Sequence, residues 1–125
     1  MVVRIVNIAY NRRGSRIRFF YLFFKGVSMS LENRFKTELI KDLKSLFPGC
    51  MVLHMDPIEY QGIPDLLILY KDRWAALEGK KCSKASHRPN QDWYVSVMNE
   101  MSYASFIFPE NKEQVLNELC ETFGA

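Results

Sequence analysis

The chain has 125 residues, 48% of them hydrophobic and 14% aromatic, which is enough for one small domain with one core. The net charge is +3, but residues 1–27 carry six basic side chains and no acid, so the remainder is net acidic and is not a generically basic nucleic-acid binder. No apolar run of 18 residues exists to span a membrane, and Phe19 to Phe24 is also too short for a usual signal-peptide core.

Residues 1–28 differ in character from the rest. They are basic, with Arg4, Arg12, Arg13, Arg16, Arg18 and Lys25, and show little helical periodicity. Lys25-Gly26-Val27-Ser28 separates them from Met29, which opens a good helix. Two readings stand. One is an upstream leader read in frame or an N-terminal extension, not native or partly disordered, with the domain at 29–125. The other is a genuine strand, Val2 to Ala9, added to the sheet or to a partner; a basic binding module built on 1–27 would require it.

From there the pattern is regular. Leu31 to Phe47 reads as an amphipathic helix, with Leu31, Phe35, Leu39, Leu43 and Leu46 at helical spacing, Ser30 as N-cap and Pro48-Gly49 as stop. Cys50 to Asp56 reads as a strand and Pro57 to Gly62 as a loop. Pro64 to Tyr70 and Arg73 to Gly79 are two apolar runs joined by the polar Lys71-Asp72, a hairpin signature. Lys80 to Asn90 is a polar, basic loop. Gln91 to Met101 fits a helix, with Trp93, Val97 and Met101 at i, i+4 and i+8 and Tyr94 and Met98 adjacent. Tyr103 to Phe108 is a strand, and Glu110 to Phe123 a helix with Val115, Leu116, Leu119 and Phe123 inward. The order α-β-β-β-α-β-α predicts an α/β fold, a mixed central sheet flanked by helices.

The hairpin places chemistry. A turn centred between Lys71 and Asp72 sets Asp65 directly opposite Glu78, with Cβ atoms about 5 Å apart. Two like charges there repel unless a cation lies between them or one is protonated. Lys80 lies two residues past Glu78 and so shares its strand face. Two carboxylates and a lysine at a strand edge can hold Mg²⁺ and cut a phosphodiester. The plainer alternative is a hairpin with unrelated surface carboxylates and an exposed lysine. Cys50, Cys82 and Cys120 are widely spaced with no CxxC pair, which reads as reduced cytosolic thiols rather than a zinc site. Trp93 reads as a core residue, and so does His54 on its apolar strand. Tyr60 and Gln61 precede the Gly62 turn and could line a cleft.

With these residues in place, the chain resembles the PD-(D/E)XK nucleases, most of all the small VRR-NUC-like, phage-type members. The match is carried by Glu32 early on the first helix, Gly62-Ile63-Pro64-Asp65 opening the second strand, Glu78-Gly79-Lys80 ending the third, and Gln91 at the start of the next helix. It covers roughly residues 30–120. The resemblance implies a restriction-endonuclease-like core and a metal-dependent DNA endonuclease, with branched or flapped DNA as candidate substrates. It implies Mg²⁺, or Mn²⁺ in its place, bound by Asp65, Glu78 and the Gly79 carbonyl, with Glu32 holding a metal-bound water or a second metal. Lys80 would activate the attacking water, and Gln91 would help place the metal site or the substrate. Lys81, Lys84, His87 and Arg88 would contact phosphates. The resemblance further implies a bacterial or phage-infected cytoplasm, and the lack of an apolar span adds the expectation of no membrane partner. Cutting two strands of a junction needs two sites, and related small nucleases often pair, so a homodimer is expected, with the apolar faces of the N-terminal segment or of the Gln91 helix as candidate contacts. Gly79 departs from the family, which more often has an apolar residue there. The alternative function is a nuclease-like module that binds nucleic acid or protein without cutting.

Overall fold

The computed structural model describes residues 2–10, 16–24 and 30–125, the first two segments as paired backbone strands. β1 (Val2–Tyr10) and β2 (Arg16–Phe24) form an antiparallel two-stranded sheet of their own. β1 covers the run Val2 to Ala9 and is not hydrogen-bonded to the central sheet. The Lys25–Ser28 separator and Met29 lie outside the described residues.

α1 (Leu31–Leu46) begins where the sequence predicts. The Ser30 side chain accepts the Asn33 N–H at 3.1 Å, satisfying one of the orphan donors of the first turn. Phe47 caps the C-terminus, and Gly49 takes the left-handed φ of +87° that turns the chain away. Phe35, Leu39 and Leu43 are buried. Leu31 and Leu46 are exposed, against expectation, because the buried stripe runs through i, i+4 and i+8 from Phe35 and leaves both ends beyond it.

The central sheet has the order β3-β4-β5-β6, with β3 (Met51–His54), β4 (Leu66–Tyr70), β5 (Arg73–Gly79) and β6 (Ala104–Ile107). The first three strands are antiparallel, and β6 joins β5 in parallel after the crossover helix α2 (Gln91–Met101). The fold is thus α/β with a four-stranded mixed sheet, in the order α-β-β-β-α-β-α after the N-terminal pair. β3 is shorter than the run Cys50 to Asp56. β4 begins at Leu66 rather than Pro64, although the Asp65 carbonyl still accepts the Met55 N–H at 2.8 Å and extends the ladder. His54, expected in the core, is exposed, because β3 is an edge strand with most of its residues in solvent.

The core lies where α1 and α3 (Lys112–Phe123) meet β4 and β5. It contains Leu39, Leu43, Phe47, Leu66, Ile68, Leu77, Ile107 and Leu119, all fully buried. At about 1.5–3 kcal/mol for each such side chain, this cluster is the main stabilising mass of the domain. α2 contributes nothing to it, and its one buried residue is Gln91. Trp93 is 60% exposed and Met101 is also exposed, which corrects the expected core stripe. Val97, Tyr94 and Met98 are half-buried together with Val95, so the inward side of the helix is Gln91, Tyr94, Val95, Val97 and Met98. Gln91 fixes that rotation through the hydrogen bonds described below. No described helix is long and apolar enough to cross a membrane.

Candidate active site

The β4–β5 register sets Leu66 opposite Leu77, so Asp65 and Glu78 face each other one step further on, as the turn predicts. The Asp65 N–H donates to Glu78 Oε2 at 2.9 Å, and the Gly79 N–H donates to Asp65 Oδ1 at 3.3 Å. Each carboxylate thus accepts from the opposite strand's backbone, which holds both at the open end of the hairpin.

Glu78, Lys80 and Gln91 are the charged or polar residues of the described chain that are buried, at 6%, 5% and 5% exposure. They form one network. Gln91 Nε2 donates to Glu78 Oε1 at 2.6 Å, and Lys80 Nζ donates to Gln91 Oε1 at 2.8 Å. Lys80 Nζ also donates to the Ser86 carbonyl at 3.1 Å and lies 3.8 Å from Glu78 Oε1. The Arg88 N–H donates to Gln91 Oε1 at 2.8 Å. An ammonium has three donors, so one remains for the cleft. Burial of Lys80 excludes the plain surface lysine that its sequence context allowed.

The electrostatics are strained at one point. Burial, and after it the Asp65 charge, raise the pKa of Glu78 to about 7 against the opposing Asp65 N–H, Lys80 and Lys36. Lys36, one helical turn after Glu32, pairs with Asp65 Oδ2 and lies 3.8 Å from Glu32 Oε2. Burial works against its charge, but Asp65, then Glu32 and Glu78, outweigh it and raise its pKa.

These side chains line a cleft of about 450 Å³ together with Gln61, Gly62, Ile63, Arg88 and Pro89. Its wall depends on Gly62, whose φ is +93°; a Cβ there would lie 2.5 Å from the Pro89 carbonyl oxygen. Glu32 lines the cleft from α1, as expected. Gln61 joins it, while Tyr60 is exposed beside it. The basic loop is split. Arg88 lines the cleft, and Lys81 lines an adjoining depression with Lys80, Ser86, Arg88 and Glu32. Lys84 is exposed and lines neither. His87 Nδ1 pairs with Asp92 at 2.8 Å, and its ring stacks on Phe106, with 4.1 Å between centroids. It therefore anchors the loop.

Sequence reasoning missed Lys36 and the backbone groups of Ser86 and Arg88. The signal for Lys36 was Gly79. A Cβ at 79 would lie 2.9 Å from both Cγ and Cε of Lys36, so a side chain there would block its path.

The donor set suits a hard divalent cation. Asp65 and Glu78 supply oxygen, and the Lys36 ammonium at Asp65 already stands where positive charge is wanted. Among the described residues no three His, Cys, Asp or Glu side chains converge as a metal-holding group. Compared with known proteins, the chain matches no family model, no curated protein and no solved structure.

Proposed function

We propose that the chain is a metal-dependent endonuclease of the PD-(D/E)XK type, with a restriction-endonuclease-like core, that hydrolyses phosphodiester bonds in DNA. One observation carries the reading: a buried Glu78–Gln91–Lys80 network abuts a second carboxylate across the hairpin, at the floor of an open cleft. The strand order and the helix carrying Glu32 support it. Asp65, Glu78 and the Gly79 carbonyl are the groups that would hold Mg²⁺ or Mn²⁺. Such an ion, when bound, polarises a phosphoryl oxygen and makes a nucleophile of water near neutral pH.

The chain's own residues do the rest. Lys80 offers its remaining N–H to the attacking water or to the charge that develops on the phosphate. Gln91 positions both Lys80 and Glu78. Arg88 and Lys81 are placed to contact neighbouring phosphates, which fixes register without reading sequence. Branched or flapped DNA is the substrate class in this reading. A homodimer would supply the second site needed to cut two strands, with the exposed Trp93 and Met101 of α2 as contact surface.

The second reading, a nuclease-like module that binds without cutting, draws on the Lys36–Asp65 ion pair, which fills part of the site with a fixed cation. One assay separates the two. Linear, flapped and four-way DNA are incubated with the chain in Mg²⁺ and in EDTA. Cleavage in Mg²⁺ that disappears in EDTA supports the nuclease; retention of uncut DNA in Mg²⁺ supports the binding module.

A further inference from the structure

We infer that the Lys36 ammonium is the second cation of this site, standing between Asp65 and Glu32 where a second divalent ion would sit, so that the site takes one metal ion. The inference rests on the nuclease reading above and assigns a residue that reading does not use.

Three observations carry it. Lys36 pairs with Asp65 Oδ2 on the hairpin and lies 3.8 Å from Glu32 Oε2 on its own helix, so it joins the acids of two different elements. Its path is built into the fold. The side chain crosses Gly79, where a Cβ would lie 2.9 Å from its Cγ and its Cε. A glycine weakens a strand interior, and the passage of Lys36 is what the absence of a side chain at 79 permits. Finally, the ammonium lies in the cleft wall beside Glu78 and Lys80 rather than in open solvent, with Lys36 only 22% exposed.

The charges fit one ion. Glu32, Asp65 and Glu78, ionised, stand against Lys36, Lys80 and Arg88, so the side chains lining the cleft sum to zero. One divalent ion with the single negative charge of a phosphodiester leaves an excess of one positive charge. A second divalent ion would raise that excess to three in a partly desolvated site. Glu32 on this account holds Lys36, and becomes available to a metal only when Lys36 is gone.

The test is a count of bound metal, independent of cleavage. The full chain is titrated with Mn²⁺, followed by calorimetry and by the electron-spin signal of free ion. The wild type is expected to saturate at one ion, and Lys36→Met, which keeps the stem over Gly79 and removes the charge, at two. Lys36→Gln replaces it if the methionine variant does not fold by circular dichroism. Two ions in the wild type, or one ion at unchanged affinity in the variant, overturns the inference and leaves the metal reading standing. No ion in either chain overturns the nuclease reading, and the inference with it.

Discussion

The two ends of the β4–β5 hairpin are built on opposite terms. At the turn, Tyr70 packs with Phe47 and Phe123, ring centroids 5.0–5.6 Å apart, and little is asked of polar groups. At the open end, two carboxylates face each other, and a glutamate, a lysine and a glutamine are buried. The turn end stabilises the domain by burial and dispersion. The open end carries a carboxylate whose pKa rises to about 7, which means that its ionised form is disfavoured in the folded chain. Hydrophobic replacements of similar size would relieve that cost. A site that is costly to the fold and open to solvent is where chemistry is expected.

That contrast predicts different failures at the two ends. The largest effect belongs to the open end. Asp65→Ala and Glu78→Ala should each lower DNA cleavage by about a thousandfold or more and lose Mn²⁺ binding, because on the proposed reading each removes a carboxylate that would hold the metal. Lys80→Ala should keep its metal and lose roughly a hundredfold to a thousandfold in rate, the scale of one transition-state donor. Single-turnover cleavage beside Mn²⁺ titration separates these cases. Equal activity in wild type and Asp65→Ala would show that the observed cleavage has another source.

At the turn end the same kind of truncation should act on stability alone. Phe47→Ala should cost about 3–5 kcal/mol in urea unfolding, and a chain that remains folded should bind Mn²⁺ as before. Loss of metal affinity in a folded Phe47→Ala would break the separation between the ends.

A smaller effect tests the strain itself. Glu78 is protonated more readily folded than unfolded, so between about pH 4.5 and 7 the folded chain holds the extra proton. The destabilising contribution is therefore absent below the unfolded pKa and fully present above about pH 7. Glu78→Gln removes the charge but leaves one of two donors, the Asp65 N–H or Gln91 Nε2, without its acceptor at every pH. Its melting temperature relative to the wild type should therefore rise by several degrees between pH 4 and pH 8 without metal, and a difference that is the same at both pH values would mean that the carboxylate is not strained. The smallest effect is Lys84→Ala. An exposed side chain outside both depressions should change the unfolding free energy by less than about 0.5 kcal/mol.

Much of the hairpin was legible because a strand has a period of two. Once Lys71-Asp72 is taken as the turn, the facing of Asp65 and Glu78 and the shared side of Glu78 and Lys80 follow, and the structure has both. The apolar side of α1 was legible from Phe35, Leu39 and Leu43 for the same reason, with a period of 3.6. The rotation of α2 was not. Its orientation is set by a buried glutamine rather than by its most hydrophobic stripe, and periodicity counts only the stripe. Lys36 was hidden too, since a lysine at i+4 from a glutamate reads as an ordinary helix-surface pair. Only the glycine on a distant strand marks the path it takes. The stacking of His87 on Phe106 was hidden because the two residues lie on either side of the crossover helix in sequence.

The central claim is that the open end of the hairpin holds a divalent cation through Asp65 and Glu78. A crystal of the chain soaked in Mn²⁺ and measured for anomalous scattering tests it directly. The account predicts a single strong peak within about 2.0–2.4 Å of oxygens from Asp65, Glu78 and the Gly79 carbonyl, with Lys36 retained near Glu32. A soaked crystal with no peak between those carboxylates, or with its ordered manganese elsewhere on the chain, would contradict it.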